Sequence, residues 1–218
     1  MTRDYKIISG SVLKLIALVA MTADHCAVAL MGLSDGMPLR IFGRIAFPIF
    51  AFLLCEGAEH TGNPIRYITR LGLLAVVSEI PYNLLFFSCL WHPEHQSILV
   101  TLTLSLAAIT VWDLLEDNPV EKCICTILIV AAAQPLGADY GIWGTALPLV
   151  FHLLKDVPAG RTAAGVLLCQ NIYQAPAYIL TALYNGERGF IGRRLKWAFY
   201  AYYPAHLLVL LAIKNLVE

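Results

Sequence analysis

Apolar stretches long enough to cross a bilayer, or nearly so, recur at about 11–33, 41–58, 66–88, 97–115, 121–136, 140–155, 162–184 and 197–216. About 20 such residues, rising ~1.5 Å each as a helix, cover the hydrocarbon core. In lipid every backbone N–H and C=O must be paired inside the segment, so helices are the natural solution. The pattern predicts an all-α integral membrane protein: a polytopic bundle of about eight transmembrane helices, range seven to nine. It is expected to form a single transmembrane domain over 1–218. The windows 121–136 and 140–155 are short, with Gln134, Pro135 and Gly137 between them. The window 162–184 carries Gln170, Asn171, Gln174 and Pro176, which predicts a broken or re-entrant helix.

Composition leads to the same class. Hydrophobic residues make up 59% of the 218 and charged residues 14%, with mean hydropathy +0.70. A soluble core cannot hide that much apolar surface, so the lipid bilayer is the expected partner. Net charge is zero, which offers nothing to nucleic acid, and none is expected to bind. The start of the chain resembles a signal peptide, but Asp24 and His25 interrupt its apolar run and no small-residue cleavage site follows; the segment is expected to be retained. Arg3, Lys6, Arg66, Lys122, Lys155 and Arg161 favour a cytoplasmic N-terminus by the positive-inside rule. The segment 186–196, with Arg188, Arg193, Arg194 and Lys196, fits that rule only if it returns to the side of the N-terminus.

Against this background the ionisable residues inside the spans carry information. Lys14, Asp24 and His25 interrupt the first run, Val12 to Leu33. Charges in such a run are costly unless they have partners and a role. Lys14 and His25 are eleven residues apart, which returns the helix to within about 20° and places both on one face, roughly 16 Å apart along the axis. A histidine deep in the membrane can act as general base toward an amine or hydroxyl, with Asp24 fixing its tautomer. Glu56 and His60, one turn apart at the end of the second window, suggest an acid–base or ion-binding pair. Arg44 precedes Pro48 in the same window and offers a fork for phosphate or carboxylate. Arg66 and Arg70 open the third window as a basic patch with His60. Glu79 needs a partner within its span, for which Arg44 is the expected one. His206 lies inside the last window and could face the same site.

Metal signals are weak. Six cysteines are present without a CxxC pair; Cys123-x-Cys125 has poor zinc spacing, and His92-Pro-Glu-His95 lacks further ligands. No metal is expected. Buried charges in three helices also fit a proton- or ion-coupled transporter, although no inverted repeat is apparent, and a non-enzymatic scaffold with charges locking its helices is a third possibility.

Six stretches together resemble one family: LKLIALVAMTADH (13–25), LRIFGRIAFPIFAFLLCEGAEHT (39–61), YITRLGLLAVVSEIPYNLLF (67–86), ADYGIWG (138–144), LYNGERG (183–189) and YAYYPAHLL (200–208). In order and over nearly the whole chain they look like the TraX family of bacterial membrane proteins, whose namesake acetylates the amino terminus of F-type pilin. Lys14-x10-His25 is also similar to the Lys/Arg-x10-His signature of acyltransferase-3 membrane proteins. The resemblance implies a membrane-bound acetyltransferase of the bacterial inner (plasma) membrane. Acetyl-CoA would be its co-substrate, and the acceptor is not identified. It further implies His25 as catalytic base oriented by Asp24, with Lys14 by the donor phosphates; Glu56, from its pairing with His60 in sequence, is a further catalytic candidate. Apart from the resemblance, charge and position make Arg44, His60, Arg66, Arg70, Arg193 and Arg194 donor-binding candidates beside Lys14, and Glu79 and His206 acceptor-side or structural polar residues.

Overall fold

Length and apolarity, not amphipathic patterning, dictate the elements. The computed structural model describes residues 6–31, 33–192 and 196–217, and all regular structure among them is helical. The helices are α1 (Gly10–Leu30), α2 (Leu33–Gly43), α3 (Ala46–Glu59), α4 (Pro64–Phe87), α5 (Ile98–Leu114), α6 (Pro119–Ala132), α7 (Gly141–Leu153), α8 (Pro158–Leu167), α9 (Ala175–Ala182) and α10 (Lys196–Val217). Three stretches are long and apolar enough to cross a membrane: Gly10–Leu30, Ser34–Glu59 and Pro64–Phe87. Helices Ile98–Leu114 and Gly141–Leu153 are apolar but shorter. Helix α10 has the length, and its Tyr202-to-His206 stretch makes it less apolar.

Each apolar window coincides with a helix or a helix pair, and the two pairs have local causes. The window 41–58 extends upstream as α2 and breaks at Arg44 and Ile45. Pro48 has no N–H for the Arg44 carbonyl, and its ring crowds that carbonyl, so the break falls one turn before it. Arg44 therefore occupies the turn between the two helices that make up the Ser34–Glu59 stretch. The window 162–184 divides into α8 and α9 around a 3-10 turn at Ile172–Gln174. There Asn171 Oδ1 accepts the Tyr173 N–H at 3.0 Å, and Pro176 stands at the start of α9, as a side-chain cap and a Pro at N1 favour.

The outer surface is what lipid requires. On α4, Leu73, Val76, Val77 and Ile80 are all more than half exposed, and their spacing puts them on one stripe of the helix. On α6, Ile124, Ile127 and Leu128 repeat the pattern.

Contacts within the chain cluster into two compact units. The first comprises Met1–Leu53, Ile80–Leu90 and Cys169–Glu218. In it α1 packs against α2 and α10, with Leu13, Ala17 and Ala20 of α1 and Leu207 of α10 fully buried. The N-terminus of α1 is closed by the segment before α10. Gly10 N–H donates to the Glu187 carbonyl at 2.8 Å and Ser11 N–H to that of Arg188 at 2.9 Å, satisfying two of the donors a helix start leaves unpaired. Ser11 Oγ donates to the Arg188 carbonyl at 2.7 Å and accepts the Ile191 N–H at 2.9 Å. Gly189, at φ +82°, passes so close that a Cβ would lie 2.8 Å from Ser11 Oγ.

The second unit comprises Leu54–Glu79 and Trp91–Leu168. In it α5 packs against α6 and α7, and α7 against α8. Small hydroxyl residues allow the α5–α7 approach: Ser105 Oγ donates to the Thr145 carbonyl at 3.0 Å, and Thr101 Oγ1 donates to the Asp139 carbonyl.

Candidate functional site

The first unit contains a polar seam between α1 and α10. Lys14, Thr22 and His25 of α1 meet Phe199, Tyr202 and His206 of α10 in the same order. Rising sequence positions pair with rising positions, so the two helices run in the same direction. Lys14 Nζ stands 5.0 Å from the centre of the Phe199 ring, a cation–π contact. Thr22 Oγ1 and the Tyr202 hydroxyl are 2.7 Å apart. His25 Nδ1 and His206 Nε2 are 2.8 Å apart.

The hydrogen bonds fix the tautomers of the two imidazoles. His206 Nδ1 lies 3.0 Å from the Tyr202 carbonyl. A carbonyl only accepts, so His206 Nδ1 carries the proton, and in the neutral ring Nε2 is then the acceptor. His25 must donate from Nδ1 to His206, which leaves the lone pair of His25 on Nε2. Aromatic rings frame the imidazole edge-on: Phe86 with centroids 5.3 Å apart and Tyr203 at 6.3 Å. This is the arrangement of an oriented neutral base, with one nitrogen held and the other available.

Asp24 faces elsewhere, as consecutive residues on a helix must. Its Oδ1 is 3.9 Å from Arg40 Nε, and Arg44 is the second cation within its electrostatic range. A Cβ on Gly43 would collide with the Asp24 side chain, so α2 can approach α1 only with glycine there. The neighbour that orients His25 is thus His206, while Asp24 joins α1 to the arginines of α2 and its following turn. Lys14 has Arg188 within electrostatic range, so the segment that closes α1 adds a cation to this end of the seam. Arg193 and Arg194 lie outside the described residues; Lys196 opens α10.

Glu56, His60, Arg66, Arg70 and Glu79 belong to the second unit. Glu56 and His60 are not a side-chain pair: the imidazole Nδ1 donates to the Glu56 backbone carbonyl at 2.8 Å. The Glu56 carboxylate instead accepts from Arg161 Nη1 at 3.3 Å. Arg66 is exposed, its N–H capped by Asn63 Oδ1 at 2.8 Å. The Arg70 guanidinium lies 5.9 Å from the centre of the Tyr67 ring. Glu79 finds its partner in Ser97, whose N–H and Oγ donate to Oε1 at 2.9 and 2.5 Å. This caps the start of α5, where Arg44 had been the expected partner. Tyr202, Tyr203, Phe86, Arg40, Arg161, His152 and Asp113 were not among the sequence candidates. For Tyr202 the signal was the one-turn spacing to His206, and for Arg40 its one-turn spacing to Arg44.

An all-helical chain with lipid-facing stripes and a polar seam inside a long apolar helix defines a polytopic helical membrane protein. The chain belongs to the TraX family: the family model described as "TraX protein" matches residues 9–214. A relative described as "Probable fimbrial assembly protein FimC, serogroup H1", from Dichelobacter nodosus, is 29% identical over 241 residues, covering 94% of this chain and 96% of its own. No solved structure matches. These matches show no likeness to acyltransferase-3 proteins.

Proposed function

We propose that this protein is an integral membrane acyltransferase that moves an acetyl group from acetyl-CoA to an amine or hydroxyl of an acceptor. The relative's description as a fimbrial assembly protein favours a pilin-like subunit as acceptor, modified in support of fibre assembly or conjugation. The observation that carries the reading is the chain from the Tyr202 carbonyl through His206 to His25, which leaves His25 Nε2 as a base in an aromatic-lined seam.

In the proposed reaction His25 Nε2 takes the proton from the neutral amine or the hydroxyl as its lone pair attacks the thioester carbonyl. The C–S bond breaks, and the CoA thiolate leaves and recovers the proton from His25. His206 holds the imidazole and shares the charge that develops on it. The donor's phosphates suit the cationic end of the seam, Lys14 and Arg188, with Arg193 and Arg194 as candidates in the same segment. A coenzyme A arm long enough to cover the roughly 16 Å from Lys14 to His25 along α1 would bring the thioester to the base. Acetyl-CoA is a cytosolic metabolite, so this reading puts the Lys14 end at the cytoplasmic face of the bacterial inner membrane.

The test is direct. Purified protein in detergent is given acetyl-CoA and a membrane extract containing pilin, with thiol release followed and products weighed. A mass gain of one acetyl group on an acceptor, with one thiol released per acetyl, supports the proposal; no release above the rate without protein contradicts it.

A further inference from the structure

The second unit holds a cluster that the proposed reaction does not use. Cys55 and Glu59, one turn apart on α3, face His152 of α7. Cys55 Sγ is 3.3 Å from Glu59 Oε1, and that oxygen is 3.9 Å from His152 Nδ1. The three ligand atoms all lie within 4.8 Å of one another. Cys55 is fully buried and His152 is 7% exposed.

The imidazole is committed on one side and open on the other. His152 Nε2 lies 2.8 Å from Asp113 Oδ1; a carboxylate accepts, so Nε2 carries the proton. Nδ1 is then a lone pair, buried and without a hydrogen-bond partner. It faces a carboxylate oxygen that is also an acceptor. The Cys55 thiol donates to that oxygen, so the unmet group is the Nδ1 lone pair, and a cation that replaces the thiol proton would engage all three ligands at once. A carboxylate on the far nitrogen of a histidine is also the usual support for a metal-ligating ring.

From these positions we infer that Cys55, Glu59 and His152 form a divalent metal site selective for zinc. Ligands at roughly 2.0–2.3 Å around a tetrahedral ion are about 3.3–3.8 Å apart, close to the 3.3 Å between Cys55 and Glu59 and the 3.9 Å between Glu59 and His152. A thiolate, an imidazole and a carboxylate suit borderline-soft zinc better than magnesium or calcium. The charges balance as well. Thiolate and carboxylate neutralise the ion, while Arg161 remains paired with Glu56 at 3.3 Å. Arg161 also approaches Glu59, at 3.8 Å, so it is the cation the metal must displace from that carboxylate. Glu59, Asp113 and His152 all sit in the last turn of their helices, where the helix dipoles favour positive charge. Three protein ligands leave a fourth position for water or another ligand. The site stands or falls independently of the acyl-transfer reading.

The full-length protein, purified in detergent without added chelator, is assayed for bound metal and then, after chelation, titrated with Zn2+ and with Co2+ as an optical probe. The expected result is one zinc per chain and a thiolate-to-cobalt charge-transfer band, both lost in Cys55→Ser and His152→Ala. Both are retained in Cys123→Ser, which removes an exposed thiol outside the cluster. Asp113→Asn is expected to keep the stoichiometry and weaken affinity roughly 10–100-fold. Should the ligand variants fail to fold, the wild-type protein decides: zinc must displace the cobalt band at one equivalent per chain, and a chelator must abolish it. Folded wild-type protein with no stoichiometric metal and no cobalt band overturns the site. Metal binding that survives Cys55→Ser overturns it equally.

Discussion

His206 Nε2 lies 2.8 Å from His25 Nδ1, joining the first described helix to the last across 181 positions of sequence. The Tyr202 carbonyl behind His206 gives the pair a direction, because only one tautomer of each neutral ring satisfies both contacts. A histidine pair could merely tie two helices together. In the proposed function the lone pair at His25 Nε2, with Lys14 further down the same face, makes the pair a working site.

His206→Ala removes the acceptor for His25 Nδ1–H and frees the ring to rotate. Acyl transfer is expected to fall in kcat by about 10- to 100-fold, a fraction of what the base itself contributes, while the KM for acetyl-CoA changes little. Steady-state thiol release over a range of donor concentrations checks it. A change confined to KM would remove His206 from the positioning of the base.

Lys14→Ala is expected to act on the donor. Its ammonium, over the Phe199 ring, is placed for ground-state binding of phosphate, so KM for acetyl-CoA should rise several-fold with kcat nearly unchanged. Lys14→Arg keeps the charge and is expected to recover most of the loss. Kinetics at two salt concentrations provide the check, since an exposed phosphate contact weakens with salt.

Gly189→Ala tests the closure of α1. Alanine at φ +82° is strained, and its Cβ would meet Ser9 Oγ at 2.5 Å and Ser11 Oγ at 2.8 Å. A destabilisation of about 1–3 kcal/mol is expected, read as a lower thermal midpoint in detergent. Gly186→Ala, at the same φ but with open space around it, is expected to lose less. Equal losses would mean that the close approach to Ser9 and Ser11 contributes nothing.

The helical class was legible because a long apolar run in lipid has one backbone solution, and every window found a helix. The interruption at Gln170, Asn171, Gln174 and Pro176 was legible too, since those residues advertise a cap and a Pro start. The alignment of Lys14 and His25 followed from helical period alone. What lay beyond reach was partnership across the chain. Asp24 adjoins His25 in sequence, which made it the natural orienting group, yet a 100° step turns it toward Arg40. Glu79 needed a partner and Arg44 was the obvious charge; the buried backbone start of α5 offered Ser97 instead. The cluster of Cys55, Glu59 and His152 has no local spacing to read, because helix ends distant in sequence bring it together. That is why no metal was expected.

The central claim is that His25 is the base of an acyl transfer. The most direct measurement compares wild type with His25→Ala for thiol release from acetyl-CoA in the presence of acceptor, with donor binding and thermal midpoint measured on the same preparations. The predicted result is a loss of about 10²–10⁴-fold in kcat while donor affinity and folding are kept. Turnover undiminished in folded His25→Ala would contradict it.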